Sequence, residues 1–165
     1  MEHHQQHNKP HKQHENPYRN FLYMMIIMFV AMYFLMYAMI DKMGDFYFHT
    51  NNLYMTLLMV CAMILIELGF MLKMYQKKVW NLSIVILTII VAAFSWVGIR
   101  KQMNIGDSEY LKGMIPHHSA AVLMSEEAIL KDPQIIKLQQ DILETQKREI
   151  EFMKRKLQEL KDKKN

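Results

Sequence analysis

The sequence predicts an all-α membrane protein: three transmembrane helices followed by an extramembrane helical hairpin that pairs into a four-helix bundle. Three observations carry this fold class. Three apolar runs fall between residues 21 and 99, the stretch after them is charged and periodic, and Lys131-Asp132-Pro133 divides that stretch in two. The chain thus reads as a polar tail over 1–20, a three-span domain over 21–101 and a helical hairpin over 107–162.

The first run, 21–40, holds about twenty residues without a charge, enough to cross a hydrocarbon core at about 1.5 Å per residue. It is too long for a signal peptide and no small-x-small cleavage pattern follows, so it reads as an uncleaved anchor. The second run, 53–72, is interrupted only by Glu67, and the third, 79–99, lies between Lys77-Lys78 and Arg100-Lys101. Short linkers make the three helices antiparallel neighbours. Lys9, Lys12 and Arg19 precede the first span, Lys73, Lys77 and Lys78 follow the second, and Lys42 stands alone between the first two. Basic loops face the cytoplasm. The expectation is a multi-pass inner or cell membrane protein with a cytoplasmic N-terminus and an extracytoplasmic C-terminal domain, against which only Arg100 and Lys101 weigh. Glu67 either faces the bundle interior or snorkels toward Lys73.

The tail carries His3, His4, His7, His11 and His14, and Pro10 and Pro17 interrupt any helix there. It reads as a disordered, His-rich segment able to bind metal loosely.

In the hairpin, Asp107 or Ser108 caps a first helix that runs to about Leu130. Pro116 removes an N–H and clashes with the Lys112 carbonyl, so it is expected to bend that helix or divide its first two turns. Asp132 is a natural N-cap with Pro133 at the first helical position. The second helix then continues to about Lys161, with Ile135, Leu138, Ile142, Ile150, Met153, Leu157 and Leu160 at helical spacing. A lone hairpin buries too little to be stable, so a homodimer or higher homo-oligomer is expected.

Composition removes several function classes. Cys61 is the single cysteine, which excludes an intramolecular disulfide, a Cys-x-x-Cys pair and a cysteine zinc cluster. No Gly-rich phosphate loop or nucleophile elbow is present. The net charge of +4 is spread rather than clustered, unlike a nucleic-acid footprint. The Glu-x-x-His pairs of di-iron bundles are missing from the hairpin, so no catalytic residue is assigned and the chain is not expected to be an enzyme. Methionine is the outlier, at 17 of 165 residues.

Eleven residues, Met114 to Met124, concentrate the chemistry. Met114 stacks one turn below His117 and His118, and Met124 lies two turns above His117. Adjacent histidines point about 100° apart and cannot share one seam. Thioether plus imidazole is a soft donor set that favours Cu(I). On the second helix, Gln146, Glu149 and Met153 share a face with Ile142. Met153 would add a thioether, while Glu149 would hold a histidine N–H in the useful tautomer, with Gln146 beside it. The bland alternative is a packed helix, with Glu149 paired to a lysine or hydrogen-bonded to a histidine.

The run Tyr110-Leu111-Lys112-Gly113-Met114-Ile115-Pro116-His117-His118, followed by Ala120, Ala121 and Met124, resembles the hallmark of the domain of unknown function family 305. Asp132-Pro133-Gln134-Ile135 and Gln146-Lys147-Arg148-Glu149-Ile150-Glu151-Phe152-Met153 are similar to its second helix. The family is ferritin-like, helical and extracytoplasmic, and includes CopM-type copper-resistance proteins. The resemblance implies copper binding at Met114, His117, His118, Met124 and Met153. Three spans and a single hairpin depart from the family's usual pattern; a site needing two hairpins would be completed by another chain.

Met25, Met28, Met32, Met36, Met39 and Met43 form a stripe on the first span, and Met55, Met59 and Met63 another on the second. Such stripes are usually packing. The Met-x-x-x-Met of the second span resembles eukaryotic high-affinity copper transporters, which also have three spans, but the third span lacks Gly-x-x-x-Gly and the topology is inverted. The function expected from the sequence is a membrane-anchored Cu(I)-binding protein in copper tolerance or handling. Cu(I) transport along the methionine stripes and a metal-free structural assembly are the alternatives.

Overall fold

The computed structural model describes residues 17–71 and 74–163. The histidines of the tail, from His3 to His14, and Lys73 lie outside them. Five α-helices follow in order: α1 (Pro17–Leu35), α2 (Thr50–Phe70), α3 (Lys78–Lys101), α4 (Asp107–Glu127) and α5 (Pro133–Asp162), with a 3-10 turn over Met43–Asp45 between α1 and α2. The first three are long and apolar enough to cross a membrane.

The middle helix, α2, carries α1 on one side and α3 on the other. Phe21, Val60, Ile64, Leu68 and Tyr75 form the core of this unit, with Met25 and Met28 packed against it. At the end away from α4, the Tyr18 hydroxyl of α1 donates to Asn81 Oδ1 of α3 at 2.9 Å. At the opposite end α3 comes close to α2 because Gly98 has no side chain. A Cβ there would stand 2.9 Å from the Tyr54 ring. Ile27, Val30, Leu87 and Ile90 are exposed, as suits surfaces whose solvent is lipid.

Helix α1 differs from the apolar run that predicts it. Pro17 opens the helix, where a missing N–H is harmless. The helix then stops at Leu35 rather than continuing to residue 40. Beyond it the chain tightens: the Tyr37 N–H donates to Phe34 O and the Ala38 N–H to Leu35 O, both at 3.0 Å. Tyr37 turns inward, is buried, lies 4.3 Å from the Phe46 ring and donates its hydroxyl to the Tyr47 carbonyl at 2.6 Å. Aromatic packing beats one more helical turn, and an apolar run gives no sign of it.

Helices α4 and α5 form the predicted hairpin. Asp132 accepts from the N–H groups of Gln134 and Ile135, and Pro133 takes the first helical position. Two expectations are corrected. Gly106, rather than Asp107 or Ser108, flanks the start of α4, and Pro116 does not divide the helix, which runs unbroken through it. Pro116 is buried between fully buried Ile115 and Ser119, so packing on both sides holds the turn that lost its hydrogen bond. α4 also ends at Glu127, short of Leu130, where Gln139 donates to the carbonyls of Ser125 and Ala128.

Ile115, Val122, Ile150, Met153 and Leu157 make the hairpin core, with Leu111, Met114, Leu143 and Tyr47 packed against it. Of the predicted apolar positions on α5, Ile135, Leu138 and Ile142 are exposed instead. They belong to the half of the helix nearest the α4–α5 turn.

A buried polar clamp fastens the hairpin to the α1–α2 loop. The Ser119 hydroxyl donates to Asp45 Oδ2 at 2.6 Å and accepts from the Asp41 N–H at 2.8 Å. Lys154 of α5 pairs with the other oxygen of Asp45, which is only 2% exposed. A buried carboxylate needs this compensation. The clamp puts the first loop and the hairpin at one end of the three spans, as an odd number of crossings requires.

Candidate functional site

The junction between spans and hairpin encloses a cavity of about 600 Å³. Met114, Gly113, Pro116, His117 and Ala120 of α4 form one wall. Leu35, Met36, Tyr37 and Met39, at and beyond the end of α1, form another. Asn51, Asn52 and Met55 of α2, with His49 before it, complete the opposite side. Four thioethers and two imidazoles therefore line one space.

Local structure explains each placement. Met114 and His117 are one turn apart on α4, so they share a face. Met36 and Met39 sit in the tightened turn that inward-facing Tyr37 holds in place. Asn52 fixes α2 against the last turn of α1 by donating from its amide to Tyr33 O at 3.2 Å. α4 approaches α2 closely because Gly113 faces His49; a Cβ at 113 would stand 3.3 Å from the imidazole Nδ1.

The start of α2 is capped twice. His49 Nδ1 accepts from the Asn52 N–H at 3.3 Å. Glu109 of α4 accepts from both the Thr50 N–H and its hydroxyl, at 3.0 and 2.9 Å, and pairs with Lys112 at 2.7 Å. Burial pushes the Glu109 carboxyl up, but the hydrogen bonds from Lys112 and Thr50 outweigh it and hold the group below the usual carboxylate range. Burial lowers the His49 ring below an ordinary histidine, and the Glu109 charge opposes this only in part. A neutral ring whose Nδ1 accepts carries its proton on Nε2. His49 is therefore a cap and a wall of the cavity, with its Nδ1 lone pair taken by the Asn52 N–H.

The two adjacent histidines have different surroundings. His118 Nδ1 lies 2.9 Å from the Met114 carbonyl and Nε2 lies 3.0 Å from Glu149 Oε2. His118 is tied between α4 and α5, and Glu149 is the carboxylate that ties it. His117 is exposed, lines the cavity and lies 5.9 Å, ring to ring, from His118. No hydrogen bond engages its nitrogens among the described residues.

Of the residues singled out in the sequence, Met114 and His117 come together on the cavity. Met153 is buried in the hairpin core among Ile115, Val122, Ile150 and Leu157. Met124 lies in the last turns of α4 and is 59% exposed. Gln146 is partly buried on α5 and does not line the cavity. The methionine stripes are divided as well: Met25 lines an apolar groove of about 510 Å³ between the spans, while Met36, Met39 and Met55 line the junction. Among the described residues no three His, Cys, Asp or Glu side chains converge in a metal-holding group. Sequence reasoning missed His49 and Glu109 altogether, and it placed Met36, Met39 and Met55 only in membrane stripes. The cues available, an N-capping position and an acidic first turn, say nothing about which helices meet.

The fold and site define a membrane-associated helical protein with an extramembrane domain carried on three apolar helices. Residues 100–160 match, in part, the profile of the domain of unknown function DUF305. An uncharacterised protein of Acanthamoeba polyphaga mimivirus is 40% identical over 100 residues, which is 59% of this chain. The chain covers about 64% of that relative's length. No solved structure matches.

Proposed function

We propose that this protein is a membrane-anchored Cu(I)-binding protein whose hairpin faces the extracytoplasmic side and serves copper tolerance or handling. One observation carries the reading: Met114 and His117, one turn apart on α4, line the same cavity, and the His117 nitrogens make no hydrogen bond among the described residues. A free imidazole beside a thioether suits a soft monovalent ion. The resemblance of the Tyr110–His118 motif to copper-resistance proteins supports the same metal. His118 and Glu149 act here as positioning residues, because their polar atoms are spent on each other and on the Met114 carbonyl.

The orientation rests on the lysine asymmetry of the loops. Labelling of a single cysteine placed at Lys42 or at Lys137, in a Cys61→Ala background in intact cells, tests it; protection of both sites would reverse the topology. Self-association rests on Met124, Ile135, Leu138 and Ile142, which are exposed in the half of the hairpin nearest the α4–α5 turn. A second hairpin is the partner proposed for them. Leu138→Asp should shift the detergent-solubilised protein to a smaller species by light scattering, and an unchanged mass would remove the oligomer.

The metal reading is tested by titrating the full-length protein in detergent with Cu(I) under reducing conditions. Replacing both ligands, Met114→Leu with His117→Ala, should weaken binding by at least about 100-fold, the upper end of what supporting residues alone control in metal sites. Equal affinity in the two proteins would overturn the reading.

A further inference from the structure

The hairpin offers one thioether and one free imidazole at the junction, which leaves a Cu(I) ion under-coordinated. The missing donors are present across the cavity. Met36 and Met39 follow the end of α1, and Met55 lies in the second turn of α2; all three line the same space as Met114 and His117. Resting on the Cu(I) reading above, we propose that the membrane domain completes the metal site, so that Met36, Met39 and Met55 join Met114 and His117 around one ion within a single chain.

Several features of the fold converge on this. Tyr37 turns inward and pins the tight turn that carries Met36 and Met39, and both side chains line the cavity while remaining partly open to its surroundings. The Ser119–Asp45–Lys154 clamp locks the α1–α2 loop to the hairpin on the side of α4 that follows His117. Gly113 lets α4 approach the start of α2, which brings Met55 into range of the same cavity. Thioethers are neutral and soft, so gathering several of them costs no charge repulsion when the cavity is empty, whereas a cluster of carboxylates would. Of the polar groups nearby, His49 Nδ1 and Glu109 are occupied in capping α2, Asn51 is paired with Gln102, and Asn52 donates to the Tyr33 carbonyl. A hairpin-only site would need a second copy to supply its remaining ligands; this one does not.

The test replaces Met36, Met39 and Met55 together by Leu in the full-length protein, which keeps volume and apolarity. Cu(I) is titrated in detergent against a colorimetric chelator, and the sulfur and nitrogen scatterers of the bound ion are counted by X-ray absorption. The wild type is expected to hold one Cu(I) per chain at every protein concentration, with a sulfur-rich shell. The triple variant should bind at least about tenfold more weakly, the scale on which even supporting residues act in metal sites, and should lose sulfur scatterers while keeping nitrogen. Should the triple variant lose helicity by circular dichroism, the single Met55→Leu protein gives the same reading on a smaller scale. Wild-type binding by the methionine variants, with binding lost on Met114→Leu/His117→Ala, would overturn this inference and leave the hairpin site standing. No Cu(I) uptake by the wild type would overturn both.

Discussion

Two hollows of similar size lie at opposite depths of this molecule. The groove between the spans is lined almost wholly by hydrocarbon and aromatic side chains, with Met25 and Cys61 its sulfur atoms. The junction cavity sets Met36, Met39, Met55 and Met114 beside His49 and His117. Both hollows use methionine, so methionine content does not distinguish them. What differs is the company the sulfur keeps: in the groove it is a flexible apolar filler, while at the junction it stands beside a nitrogen donor free to bind.

The largest expected difference is in metal binding. Met25→Leu with Met28→Leu, one in the groove and one against the core of the spans, should leave Cu(I) affinity within about twofold, since volume-conserving apolar exchanges cost little. The Met114 and His117 exchanges at the junction should nearly abolish it. Equal losses from both would erase the distinction between the two hollows.

Next comes the clamp that forms the junction. Lys154→Met leaves the Asp45 carboxylate buried with only the Ser119 hydroxyl, and should cost up to ~3 kcal/mol, less than a fully buried pair because Lys154 is partly exposed. Ser119→Ala should cost about 1–3 kcal/mol by stranding the same carboxylate and the Asp41 N–H. Thermal denaturation in detergent reads both. If neither moves the transition, the hairpin is not held by this clamp.

The adjacent histidines sharpen the comparison further. His118→Ala removes the tie to Glu149 and the Met114 carbonyl, and should lower stability by about 1 kcal/mol, the worth of a partly exposed hydrogen bond, without changing Cu(I) stoichiometry. His117→Ala should do the reverse. Matching behaviour of the two variants would mean that the ring contacts of His118 do not set it apart.

The smallest effect is on pH dependence. The folded protein holds His49 below its ordinary value of about 6.5. The unfolded chain therefore takes up a proton that the native ring refuses. Stability is complete above about pH 6.5 and falls as the pH drops toward the lowered native value. Glu109, also lowered, acts in the same sense at more acidic pH. His49→Asn keeps a competent N-cap and should flatten the melting-temperature profile as the pH falls below about 6.5, the ordinary histidine value. An unaltered slope would assign the dependence to other groups.

The local features of this fold were readable in the sequence because local chemistry decides them. Three charge-free or nearly charge-free runs make spans, and Asp132 with Pro133 starts α5 at the expected residue. Met114 and His117 were readable too, being one helical turn apart. The junction was not. Ser119 meets the backbone of Asp41, 78 residues away, and no periodicity reports such a contact. Met36 and Met39 read as the continuation of a membrane stripe because nothing in an apolar run marks the inward turn of Tyr37. Met124 shares the motif's register on α4 and Met153 shares a face with Glu149 on α5, yet one is exposed and the other is core. Register gives the face of a helix; only the docked partner decides what that face meets.

X-ray absorption at the copper edge of the full-length, Cu(I)-loaded protein tests the central claim most directly. A shell of sulfur with one nitrogen, losing that nitrogen in His117→Ala but not in His118→Ala, is the predicted result. A shell of nitrogen and oxygen alone, unchanged by either substitution, would contradict it.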